Sequence, residues 1–195
     1  MVRTACIAAA FALAAGVAGA DPIPNRPHVV DASTVQPSGE RVMREEILIK
    51  APRAEVWKAL ATSEGLRSWE MPLAEIDLKV GGYLEASYDA KAKVGDPDNI
   101  KHELLTYLPG KLLVFRNVQT PHGFPHADLF SKITTIEMLD DAGDGYTRVT
   151  VAGVGYGQGA DWDKLYGFFR NGNAWVLETL KAHFEGGEGP KGPAH

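Results

Sequence analysis

His102, Glu103, Arg116 and Asp128 are the polar residues best placed for proton transfer or ligand contact, because each lies in or beside a β-patterned stretch rich in apolar residues. His102 and Glu103 are neighbours, and neighbouring strand residues point to opposite faces, so only one of them can look inward. The chain has no G-x-S-x-G string, no Ser-His-Asp context and no carboxylate pair at a readable spacing. That pattern points to binding rather than catalysis. The loop Thr120 to Asp128 (TPHGFPHAD) holds His122, His126 and Asp128, three possible ligands for a divalent metal. Gly123 and Pro125 deny it helical geometry, so a solvated loop is expected, with no metal and no cofactor. Gly153, Gly155, Gly157 and Gly159 alternate before a helix-patterned stretch, but without a parallel βαβ unit or a Lys-Ser/Thr pair they do not make a phosphate loop. Alternating glycines in a strand mark a bulge or a close backbone approach.

The elements that must position these residues follow from hydrophobic periodicity. Val42 to Lys50 reads as a strand that ends at Ala51-Pro52. Pro52 suits a first helical turn, with Val56, Trp57 and Leu60 on one face, and a second short helix is expected from Ser63 to Trp69. The period then becomes two. Strands are expected at Leu73 to Leu78, Tyr83 to Tyr88, Ile100 to Leu108, Lys111 to Val118, Ser131 to Leu139 and Tyr146 to Tyr156. Turns at Pro109-Gly110 and within Asp140 to Gly145 imply hairpins and a mostly antiparallel sheet. A long helix, capped by Asp161 and kinked at Gly172, is expected to reach Phe184.

The chain has 195 residues, 45% of them hydrophobic and 23% charged, enough for one core. Twenty basic residues against 25 acidic ones leave a net charge of -5, with no basic cluster to meet a run of phosphates, so nucleic acid is not an expected partner. Arg3 precedes an apolar run from Ala5 to Ala20 that closes in Ala18, Gly19 and Ala20 before Asp21-Pro22, the three parts of a secretory signal peptide. The run falls short of the ~20 residues a spanning helix needs, so no integral membrane segment is expected. The single cysteine, Cys6, lies inside this segment, so a mature chain would have no disulfide, thiol nucleophile or thiolate metal site. The expected organisation is a signal peptide over 1–20, a flexible Pro-rich segment over 21–39, a folded domain over 40–185 and a Gly/Pro-rich flexible tail over 186–195. The location would be periplasmic or secreted.

Four strings occur in this order: IKAPRAEVWKALATSEGLRSW (Ile49 to Trp69), KVGGYLEASYD (Lys79 to Asp89), LLTYLPGKLLVF (Leu104 to Phe115) and GNAWVLETLKAHF (Gly172 to Phe184). Together they resemble the START-like helix-grip (SRPBCC) superfamily, and within it the family named for the activator of the heat-shock chaperone ATPase. The resemblance implies an α+β helix-grip fold: a curved, mostly antiparallel sheet of about seven strands around a long C-terminal helix, with two short helices after the first strand. It supplies no fixed catalytic residues, and chaperone regulation in the cytosol fits poorly with an export signal. A small apolar or amphipathic ligand between sheet and helix is therefore expected. The candidate lining is Trp57, Trp69, Tyr83, Tyr88, Tyr107, Phe115, Phe130, Tyr156, Phe169 and Trp175, with His102, Glu103, Arg116 and Asp128 at the rim. The alternative is a cyclase- or dehydratase-like enzyme acting on a polyketide or aromatic substrate in the same cavity. No protein partner can be named from the sequence.

Overall fold

A computed structural model describes residues 23–189; the segment expected to be a signal peptide, Asp21 and Pro22 of the Pro-rich segment, and the end of the Gly/Pro-rich tail lie outside the described residues. The elements run β1 (Val30–Asp31), β2 (Thr34–Val35), β3 (Arg41–Ile49), α1 (Arg53–Ala61), α2 (Ser63–Trp69), β4 (Leu73–Ile76), β5 (Tyr83–Ser87), β6 (Ile100–Leu108), β7 (Leu112–Gln119), α3 (Ala127–Phe130), β8 (Thr134–Gly143), β9 (Tyr146–Tyr156) and α4 (Ala160–Glu185). The strands form one antiparallel sheet in the order β1-β3-β9-β8-β7-β6-β5-β4, with β2 also on β3. Helices α1 and α2 carry the chain from β3 to β4 at the opposite edge of the sheet. This is the helix-grip α+β architecture. No helix among the described residues is long and apolar enough to cross a membrane.

Alternation sets the inner face. Met43, Glu45, Ile47 and Ile49 of β3 are buried and pair across to Gly153, Val151, Val149 and Thr147 of β9. The next strands add Glu137 and Leu139 from β8, then Leu113 and Phe115 from β7. Against this face α4 buries Leu165, Ala174, Leu177 and Leu180, and each of the three leucines, about 1% exposed, contributes roughly 1.5–3 kcal/mol.

The Pro-rich segment departs from the flexible tether expected of it. From Ile23 to Glu40 it folds back as a strap over β3 and α4, burying Ile23 and Val29 in the main core and lending β1 and β2 to the sheet edge. The His28 N–H and ring both reach Glu178 of α4 at 2.8 Å. Its described prolines, Pro24, Pro27 and Pro37, all sit in turns, where a missing ladder N–H costs nothing.

Three boundaries also differ. The cap of α4 is Gly159 at φ 109° with no side-chain bond, and Asp161 and Asp163 occupy the first turn instead, where they complement the helix dipole. The helix runs unbroken through Gly172 and ends at left-handed Gly186, whose N–H donates to the Ala182 carbonyl. Strand β8 starts at Thr134 because Phe130 to Ile133 form a turn, and continues to Gly143 because the hairpin reduces to Asp144-Gly145, both at positive φ.

Candidate functional site

Helix α4 lies chiefly along β3; α1 meets the ends of β8 and β9, and α2 rests on β4 and touches α4. Between them the inner face from β5 to β8 is incompletely covered. Leu84 and Tyr107 pack against the main core and, like Glu137, point inward by register yet stay only partly buried, which makes this part of the inner face a shallow recess at the edge of that core. Trp69 and Tyr107 pack against the main core at its floor, and Trp69 Nε1 donates to the Ala59 carbonyl at 3.1 Å. Tyr88, just past β5, stays half exposed and meets the Trp175 ring edge-on, with centroids 6.3 Å apart.

Two carboxyl groups on this side of the sheet are electrostatic neighbours. Glu137 projects from the middle of β8, and Glu70 is the C-cap residue of α2, its N–H spent on the Leu66 carbonyl. Among the described residues neither carboxyl has a hydrogen-bond or ion-pair partner. Burial pushes Glu137 up to about 7, and burial, then the charge of Glu137, pushes Glu70 up to about 8. Burial, then the charge of Glu70, also raises the Tyr88 hydroxyl, which places Tyr88, Glu70 and Glu137 in one electrostatic neighbourhood.

A second acidic centre lies under α4. Glu45 is fully buried, and both of its carboxyl oxygens lack a hydrogen-bond partner. Asp31 of the strap stands directly opposite it on β1 and bonds Arg170 of α4 at 2.7 Å. Burial, then the charge of Asp31, raises Glu45 to about 9, opposed by the charge of Arg170. Asp31 itself is raised by burial, but Ser33 and Arg170 outweigh this and hold it below the usual carboxylate range.

The expected site residues divide among several environments. Trp57, Trp69, Tyr107 and Phe115 belong to the main core, and Tyr88 and Trp175 edge the recess. Phe130, Tyr156 and Phe169 fill a separate cluster with Met43 and Leu165 near the start of α4, where the Phe130 and Phe169 rings meet at 4.5 Å, tilted by 45°. They are packing there, not lining. Tyr83 is on the outer face: it pairs with Glu103 while Leu84 takes the inward position, and Lys101 sits 5.7 Å from its ring. Glu103 and Arg116 pair across the outer face at 2.7 Å, which removes both from the rim. Asp128 is exposed on α3. His122 turns to Asp98, and His126 faces Asp161 at 3.9 Å, so the three loop residues do not converge.

His102 is the inward member of its pair. Its ring lies 6.2 Å from Phe115 and 5.8 Å from Phe130, its Nδ1 has no partner, and burial lowers it to about 4. The unfolded chain therefore takes up a proton below about 6.5 that the folded protein refuses, and this stability is lost as pH falls toward 4. His102→Phe should melt roughly 1–3 kcal/mol more stably than the parent at pH 4.5 and almost equally at pH 7.5. Equal differences at both pH values in thermal unfolding would refute this.

Sheet, recess and gripping helix define a helix-grip domain with an acid-edged inner space. The chain belongs to the family described as Activator of Hsp90 ATPase homolog 1-like protein, which matches residues 50–185. In structure it is similar to the Aha1 dimer protein of Colwellia psychrerythraea at 19% identity and TM-score 0.56, covering 76% of this chain and 98% of that one. It is also similar to CalU16 of Micromonospora echinospora at 18% identity and TM-score 0.55, covering 78% and 82%, and to a conserved protein of unknown function from Enterococcus faecalis at 17% and 0.56, covering 84% and 80%. Comparison with curated proteins gives no match.

Proposed function

We propose that this protein is an exported binding domain that holds a small amphipathic molecule in the recess between β5 to β8, α2 and α4. The observation that carries the reading is that inward side chains of these strands keep accessible surface while two carboxyls among them have no partner. A core built only for stability closes over its apolar residues and pairs its polar ones. The N-terminal segment supports export, which separates the chain from a cytosolic chaperone and favours ligand carriage over chaperone activation.

Native mass spectrometry of protein recovered from its own host should show a co-purifying small molecule and a mature chain beginning near Asp21. The delipidated protein should show a thermal shift with at least one of a set of fatty acids, sterols, polyketides and aromatic acids. An unloaded mass together with no shift across the set overturns the reading.

A second reading, a cyclase- or dehydratase-like enzyme, is favoured by the same acid pair. Two coupled carboxyls near neutrality can split the roles of proton donor and acceptor on a bound polyketide or aromatic substrate. Turnover that Glu137→Gln abolishes would replace binding by catalysis.

A further inference from the structure

The outer face of the sheet, turned away from the recess, has no helix over it among the described residues. Helix α4 lies on the inner face along β3, the buried side of α1 joins the core of Leu139 and Val149, α2 rests on β4 and α3 on α4. Outward residues of the central strands form two rows across this face. One row starts at Glu46 of β3 and passes through Thr150, Met138 and Leu112; the other starts at Arg44 and passes through Ala152, Ile136 and Val114. Leu108, 53% exposed, extends the first row onto β6. Met138, Leu112, Ile136 and Val114 keep part of their surface, while the short Thr150 and Ala152 are hidden between longer neighbours. A solvated antiparallel face is polar at such positions, whereas a contiguous apolar band with charges at its end marks an interaction surface.

Those charges identify the partner. Arg44 and Arg148 both reach Glu46 within one chain, so two guanidiniums share one carboxylate and keep donors to spare. A twofold axis in the plane of contact, running across the strands between the two rows, lays the first row of one copy on the second row of the other. Glu46 of each copy then meets Arg44 of the other, Met138 meets Ile136 and Leu112 meets Val114, so the surface complements itself in charge and in shape. The twofold along the strands instead puts Glu46 over Leu108, a carboxylate against an apolar side chain.

We propose that a second copy of this chain docks on the outer face about the first of these axes, sheet against sheet, with both recesses left open. From the strand spacing the footprint is roughly 500 Å² per copy, at the small end of specific interfaces, so the dimer is a reversible one. The assignment is independent of any ligand in the recess.

Sedimentation velocity of the full chain from about 5 to about 500 μM tests it, and the parent should pass from monomer to dimer with a midpoint on the order of 10–100 μM. Leu108→Glu, at a half-exposed position where folding is not at stake, should weaken association about tenfold, and Met138→Glu more. Arg44→Glu puts two acids, and Glu46→Arg two bases, at the end of the rows. Each of these variants should be monomeric alone, and an equal mixture should associate, because the acids of one copy then face the bases of the other. Cooperative melting of each before mixing shows that it is folded. A parent that stays monomeric throughout, a Leu108→Glu protein that dimerises as the parent does, or a mixture of the folded charge variants that does not associate overturns the proposal, whatever the recess binds.

Discussion

Glu45→Gln should make the protein more stable at every pH above about 5, by an amount that widens to about 6 kcal/mol near pH 9. The parent carboxyl has a folded value of about 9 against an ordinary 4.5. Below 4.5 both folded and unfolded chains hold the proton, and the group's stabilising contribution is complete. Between 4.5 and 9 the unfolded chain has released it while the folded one retains it, so stability falls by about 1.4 kcal/mol per pH unit and levels off once the folded group ionises. Gln copies the neutral form in shape and cannot ionise. Above pH 9 the parent carries two adjacent carboxylates, Asp31 and Glu45, with Arg170 as the cation bonded to Asp31, which should loosen the strap first. Urea unfolding at pH 5, 7 and 9 checks the prediction: the curves should nearly coincide at pH 5 and separate at pH 9. A constant separation would mean that Glu45 is ionised throughout and that its partner has been overlooked. Glu70 and Glu137 titrate with the same sign, so the variant keeps a shallower slope rather than none.

The framework was legible because it rests on local chemistry. Ser63 to Trp69, Ile100 to Leu108 and Tyr146 to Tyr156 start and stop at local signals, a Pro-Gly turn and an Asp-Gly hairpin for the strands and a hydroxyl cap for the helix, although the cap is Thr62 where the pattern suggested Ser63. The strap was not legible, since Ile23 and Val29 are single apolar residues among prolines and become core only once the segment folds back over β3 and α4. The acidic residues form an intermediate case. Glu45 and Glu137 occupy inward positions by simple alternation with Met43 and Ile47, and with Thr135 and Leu139, so their phase on the strand was a readable signal that charge alone concealed. Glu70 had no such signal. It closes a helix, and its direction depends on how α2 sits on β4. The aromatic candidates divided for the same reason: period two fixes a face, but only the seating of α4 along β3 decides which part of that face is filled by Phe130 and Phe169 and which is left open beside Trp175.

That seating depends on the glycine run at the end of β9, and Gly155→Ala should be among the most damaging small substitutions in the chain. Gly155 has φ +95°, and a Cβ there would stand 2.6 Å from the Lys132 carbonyl oxygen, a backbone atom. That carbonyl cannot swing aside freely, because the Lys132 and Ile133 N–H groups are bonded back to Leu129 and Phe130 in the turn that sets Phe130 and Ile133 into the second core cluster. Gly95 provides the matched control, with φ +91° and nothing within 4 Å of its would-be Cβ. Gly95→Ala should therefore show only the backbone strain, about 1 kcal/mol, whereas Gly155→Ala adds the collision and should reach roughly 3–4 kcal/mol. In thermal unfolding that corresponds to a Tm lowered by roughly 6–15 °C for Gly155→Ala and by about 2–4 °C for the control. If the two variants melt within a degree of each other, the close approach of β9 to the Lys132 turn is not what holds Phe130 beneath the start of α4, and the filled end of the inner face must be fixed by the helix itself.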